Sequence, residues 1–185
     1  MSPVQCNLEN QSKCQEEASN YGNDLAFSRE SAWYFDQFYQ QYVPSYSAHV
    51  RHGDEFFIQR HGDATIYLES GKAFSVEEKS ARGNYSTILI ETNDGNHDGW
   101  FHWLKAEFLA WSFPAEGGRL IYLFSMASVR QAFREHVNSP TIIRRETEST
   151  DRQGNSKMMV NFLLPIRLIE EFGEVTRALI PGLTN

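Results

Sequence analysis

Apolar and polar positions along this chain change period several times, and each change marks an element. Between Leu25 and Tyr42, the residues Ala32, Phe35, Phe38, Tyr39 and Tyr42 recur at three- and four-residue steps, which is one face of a helix. Ser28 is placed to cap that helix and Pro44 to end it. The aromatic run Trp33, Tyr34, Phe35, Phe38 and Tyr39 reads as core packing rather than as a platform for stacked bases. The period then falls to two. Ala64, Ile66 and Leu68 alternate with Thr65 and Tyr67; Glu69-Ser70-Gly71-Lys72 supplies a turn; Phe74, Val76 and Glu78 alternate with Ser75, Glu77 and Lys79. This pattern predicts a β-hairpin.

Ser86 to Glu91 (STILIE) predicts a third strand beside the hairpin, followed by a Gly/Asn/Asp/His loop through Gly99. Trp100 to Phe113 fits helix and strand equally. Leu120 to Met126 predicts a strand, and Ser128 to His136 a helix capped by Ser128. Residues 138 to 157 are expected as a polar loop. Met158 to Pro165 then predicts a last strand, running into a short helix around Ile166 to Phe172. The order α-β-β-β followed by mixed elements implies one α/β (α+β) domain over residues 25 to 185, with a mixed central sheet flanked by helices.

Residues 1 to 24 are rich in Asn, Gln, Glu and Ser and offer little to bury, so they are expected to form a disordered polar tail. Its two cysteines, Cys6 and Cys14, are expected as free thiols, and they lack a second Cys/His pair for a zinc site. The longest apolar run, Leu120 to Phe124, is far short of the roughly 20 residues a membrane helix requires. With no basic-then-apolar leader, a cytoplasmic location without a membrane partner is expected. The 185 residues carry a formal charge of −7, which at first sight disfavours nucleic acid.

Three polar residues stand where strands should bury apolar ones. Asp63 opens the first strand of the hairpin, and Glu77 and Lys79 lie two apart on the second. Period-2 geometry therefore puts Glu77 and Lys79 on one face and Glu78 on the other. Carboxylates converging there offer oxygen ligands to Mg²⁺ or Mn²⁺, and Mg²⁺ takes one or two carboxylates plus water and phosphate oxygens. A lysine beside such an ion orients or deprotonates a water, or offsets charge developing on phosphorus. Asp54, which also follows His-Gly, is a rival for the first carboxylate, but no alternating strand begins at it.

The string Gly62-Asp63, a hairpin, Val76-Glu77-Glu78-Lys79, Tyr85, the strand Ile88-Leu89-Ile90-Glu91 and then Gly99-Trp100 resembles the PD-(D/E)XK, or restriction-endonuclease-like, nuclease superfamily. The likeness covers residues 28 to 126. Here Gly62 replaces the family's proline, and Ala106-Glu107-Phe108 stands where an Ala-Asp-aromatic segment often occurs. The resemblance implies an αβββαβ core and a divalent metal held by Asp63, Glu77 and the backbone carbonyl of Glu78, with Lys79 acting on the water. Glu30 or Asp36, from the preceding helix, and Glu91 are accessory candidates.

The resemblance implies a metal-dependent nuclease acting on DNA or RNA, DNA foremost. The alternative is a catalytically inactive nucleic-acid-binding or assembly subunit of the same fold. A homodimer that cuts two strands is compatible with the nuclease reading. Residues 127 to 167 carry seven Lys/Arg against four Asp/Glu, whereas residues 25 to 126 carry eight against thirteen. Arg130, Arg134, Arg144, Arg145, Arg152 and Lys157, with Arg82, are therefore the phosphate-facing candidates. The cluster His97-Asp98-Gly99-Trp100-Phe101-His102 reads as a loop with one packed Trp, because no further His/Asn framework follows it. No Gly-rich phosphate loop or Gly-x-Ser-x-Gly elbow occurs.

Overall fold

The computed structural model describes residue 27 and residues 30–53, 60–94, 97–150 and 156–182. The expected tail, the Ser28 cap, Asp54 and Arg152 lie outside these. A helix over residues 30–42 (α1) precedes the strands Tyr46–Arg51 (β1), Ala64–Leu68 (β2), Ala73–Ser80 (β3), Thr87–Asp94 (β4) and His97–Asp98 (β5). Next come a one-turn helix Trp100–Trp103 (α2), strands Phe108–Ala115 (β6) and Gly118–Ser125 (β7), and helix Met126–His136 (α3). Strands Ile143–Thr150 (β8) and Ser156–Pro165 (β9), helix Ile166–Glu170 (α4) and strand Thr176–Pro181 (β10) complete the described chain.

The strands form two sheets, a six-stranded one in the order β1-β2-β3-β6-β7-β10 and a four-stranded one in the order β5-β4-β9-β8. The first is mixed, because β3 and β6 run parallel while its other neighbours are antiparallel. The expected mixed α+β architecture is therefore present, but β4 does not lie beside the hairpin. It pairs with β9 in the second sheet, and the hairpin's outer neighbour is β1.

The six-stranded sheet is covered on both faces. One face buries Ile66, Val76, Ala110 and Ile121 against Phe35, Phe38 and Tyr39 of α1. The other buries Leu109, Trp111, Phe113 and Phe124 in a cluster shared with Trp100, Val129, Phe133, Ile88 and Ile90. A strand buried on both sides reads as a continuous apolar run instead of an alternation, which is why Trp100 to Phe113 has no clear period. It resolves into α2 and β6. The aromatic run of α1 is core, as expected.

Two segments expected as loops contain strands, β5 in the loop through Gly99 and β8 within residues 138 to 157. β1 and β8 are edge strands, and β8 (IRRETEST) exposes nearly every described side chain and so shows a loop's composition. Charge on a strand edge prevents pairing with another chain. β10, a third edge strand, ends on Pro181 and buries only Ala178 and Ile180. The cap of α3 is Ser125, whose hydroxyl accepts from the Ser128 N–H at 3.0 Å, so the helix starts earlier than its apolar period suggests. Among the described residues, no helix is long and apolar enough to cross a membrane.

Candidate active site

The hairpin brings the sequence motif together through its register. β2 and β3 pair Ala64 with Val76, so one further step along the ladder sets Asp63 opposite Glu77. Gly62 makes this possible. Its φ is +93°, and a Cβ there would stand 2.4 Å from the Val76 carbonyl oxygen. The turn is held from β1's end by His52, whose backbone N–H donates to the Asp63 carbonyl at 2.8 Å. Its ring Nδ1 lies 2.7 Å from the Gly62 carbonyl oxygen and its Nε2 lies 2.8 Å from Thr65 Oγ1. A carbonyl can only accept, so Nδ1 carries a proton and His52 donates to Gly62, while Nε2 shares a hydrogen bond with the Thr65 hydroxyl. Asp63 Oδ2 accepts the Glu78 backbone N–H at 2.7 Å.

Glu77 is buried, and its carboxylate forms an ion pair with the Lys79 ammonium two residues on. Burial raises the Glu77 carboxyl, Lys79 opposes that rise, and the nearby Asp63 charge adds to it. For Lys79, burial disfavours the ammonium, but Glu77, then Asp63, and Glu91 more weakly, outweigh it and hold the amine protonated. Its Nζ also lies 5.7 Å from the centre of the Trp100 ring. The Gly-Trp element explains that contact. A Cβ on Gly99 would fall 2.3 Å from the Glu91 carbonyl oxygen, so only glycine lets the α2 entry press against β4. The expected packed Trp is present, but the surrounding residues form β5 and α2 instead of a loop.

Glu78 faces the other way, toward α1, as its alternation requires. Tyr39 donates its hydroxyl to Oε1 at 2.9 Å, and Arg51 donates to Oε2 at 2.5 Å. Burial pushes the Glu78 carboxyl up to about 7 against the pull of Arg51. Arg51 also binds Asp36 and the Ala32 carbonyl, and Asp36 meets His49 Nε2 at 3.0 Å. This network fastens α1 to β1 and β3. It escaped the sequence because its members are spread over three elements. The one signal for His52 is the repetition of His-Gly-Asp at residues 52 and 61.

The structure separates the remaining candidates. Asp36 belongs to the Arg51–His49 network, not to the Glu77–Lys79 pair. Glu30 is exposed, and its charge acts on Arg119, a buried arginine bonded to Ser112 and the Ala81 carbonyl. Glu91 lies close enough to stabilise the Lys79 ammonium. Arg130 turns inward to the Leu104 carbonyl and over the Phe101 ring, so it is removed from the phosphate-facing set. Arg144 pairs with Glu146 at 2.5 Å. Arg134 is exposed one turn further along α3, where its charge disfavours that of Arg130, and Lys157 lies on β9. Arg82 and Arg145 instead line a groove beside Lys79. The basic stretch of the sequence is therefore not one patch.

Among the described residues, no group of three or more His, Cys, Asp or Glu side chains is arranged to hold a metal ion. Asp63 and Glu77 supply two carboxylates without nitrogen or sulfur donors, a set that suits a hard cation completed by water and phosphate oxygens. Asp63, Arg51, His52, Glu78 and Lys79 border a cleft of about 380 Å³. The chain matches no family model, and neither curated proteins nor solved structures give a match. Fold and site alone define a mixed α+β protein with a carboxylate–lysine cluster at one end of its larger sheet.

Proposed function

We propose that this protein is a metal-dependent nuclease that hydrolyses phosphodiester bonds, with DNA as its substrate and Mg²⁺ or Mn²⁺ as its cofactor. The observation that carries this reading is the register that sets Asp63 opposite Glu77 while Glu77 is ion-paired with Lys79. A restriction-endonuclease-like core is supported by the order of elements: α1, the antiparallel β1, β2 and β3, a crossover containing α2, and then β6 parallel to β3.

Asp63, Glu77 and the Glu78 carbonyl would hold the ion, which supplies charge to polarise a phosphate and acidify a bound water. The chain's own groups do the rest. Asp63 is oriented by the Glu78 N–H, so its carboxylate is fixed before substrate arrives. Lys79 is kept protonated by its three carboxylate neighbours. It therefore orients the attacking water and offsets negative charge on phosphorus, and it is not the group that removes the proton. Trp100 presents its ring to the ammonium at 5.7 Å and adds a cation–π attraction.

Incubation of the purified protein with DNA and Mg²⁺ or Mn²⁺ tests the assignment. Wild type is expected to cut, whereas Asp63→Ala and Lys79→Ala are expected to lose activity on the order of 10²-fold or more while staying folded. Equal cutting by all three proteins would reject the catalytic assignment.

A further inference from the structure

A larger hollow of about 620 Å³ opens beside Lys79. Cross-strand pairing aligns Leu89, Leu163 and Ile143 in one row over β4, β9 and β8, so one face of the four-stranded sheet forms its apolar wall. Leu89 is 37% exposed, Ile143 52% and Tyr85 70%, so three large apolar side chains left in solvent converge on one groove. An exposed apolar cluster of this kind marks a binding surface. Arg82 and Arg145 flank it. Trp111, which also lines the groove, is 6% exposed, and its indole N–H meets no acceptor in the protein. The next row along the sheet, Glu91–Asn161–Arg145, contains a second buried group without a partner, Asn161 Oδ1. Glu91 in turn lies near Lys79. Groove and candidate active site are thus parts of one surface.

We infer that this groove receives an unpaired nucleobase with its flanking phosphates, so that the substrate is single-stranded or locally melted nucleic acid. The inference rests on the nuclease reading for its direction along the chain of substrate. A volume within the roughly 300–1,000 Å³ of small-ligand sites accommodates a planar base. Tyr85 and the aliphatic wall offer contact to its face, which a paired base keeps stacked inside the duplex. The guanidinium groups of Arg82 and Arg145 match phosphate on either side. An apolar peptide would use the wall but offer no anion to the exposed Arg145.

Fluorescence anisotropy of a labelled oligothymidylate and of a duplex of equal length, both in EDTA at low salt so that nothing is cut, tests this. The single strand is expected to bind more tightly by about tenfold, and Tyr85→Ala to remove most of that difference. Arg145→Ala is expected to weaken binding and to flatten its salt dependence, with Arg145→Lys restoring much of both. Both side chains are exposed, so the variants should keep the wild-type melting temperature. Equal affinity for the two DNA forms, no binding of either, or indifference to both variants overturns the inference. Adding Mg²⁺ to the same oligonucleotides separates the two readings. Tyr85-dependent binding without cutting retains the groove and rejects the nuclease; cutting that Tyr85→Ala leaves unchanged retains the nuclease and rejects the groove.

Discussion

Asp63 Oδ2 accepts the backbone N–H of Glu78 at 2.7 Å, so the carboxylate that opens β2 also caps the strand carrying the other two site residues. One side chain thus has a structural and a proposed catalytic role, and two substitutions separate them. Asp63→Asn keeps an oxygen that can accept the N–H but removes the charge, and it is expected to cost less than about 1 kcal/mol of stability while abolishing Mg²⁺-dependent cleavage. Asp63→Ala also orphans the N–H and should cost about 1–3 kcal/mol more in urea unfolding. If Asp63→Asn cuts DNA as wild type does, the carboxylate is not a metal ligand.

Gly62 supplies the second prediction. Its φ of +93° and the 2.4 Å approach of a Cβ to the Val76 carbonyl mean that Gly62→Ala must move β2 away from β3. The expected loss is about 2 kcal/mol or more, combining left-handed backbone strain with the clash. Cleavage should fall further than stability, because the displaced residue is the neighbour of Asp63. Gly53, where a Cβ would meet nothing within 4 Å, is the control, and Gly53→Ala is expected to be nearly silent in both assays.

The part of this fold that could be read from the sequence is the part in which one face is buried. The β2–β3 hairpin alternates, so its turn, its register and the common face of Glu77 and Lys79 were legible. β8 was not, because a polar edge strand has no buried face to impose a period. The assignment of β4 to the second sheet was also hidden, since period-2 spacing at Ile88 and Ile90 says that a face is buried but not against which sheet. The Glu78–Arg51–Asp36 network was illegible for a different reason. It joins β3, β1 and α1 through side-chain reach, and no local pattern records that.

The Glu77–Lys79 pair should show strong non-additivity. Lys79→Met leaves a buried carboxylate without its partner, and since Lys79 is 34% exposed the penalty is expected near 1–3 kcal/mol, below that of a fully buried pair. Without Lys79 the Glu77 carboxyl rises further. A group whose folded pKa lies above its unfolded value favours folding at low pH and loses that contribution as pH climbs through the folded pKa. The Lys79→Met penalty should therefore be small near pH 4 and grow toward pH 8. Adding Glu77→Gln should recover much of it, and a double-mutant cycle by chemical unfolding measures the coupling. Simple additivity would mean that the two side chains do not interact in solution.

Glu78 gives the clearest pH signature. Its carboxyl stands at about 7 in the folded protein against an ordinary 4.5, with burial as the foremost cause and Arg51 opposing it. The folded state thus holds this proton more tightly than the unfolded chain does. The resulting stabilisation is complete below about pH 4.5, declines as pH rises through the window between the two values, and is gone above about 7. At 1.36 kcal/mol per pKa unit, the change is at most about 3 kcal/mol, or several degrees in melting temperature for a chain of this size. Glu78→Gln keeps acceptors and donors near Tyr39 and Arg51 but cannot titrate. Melting curves from pH 4.5 to 8 should accordingly show wild type losing stability relative to Glu78→Gln as pH increases. The absence of that decline, with wild type gaining on the variant only near pH 4.5 and running parallel to it toward pH 8, would mean that the Arg51 ion pair outweighs burial and that Glu78 is ionised throughout.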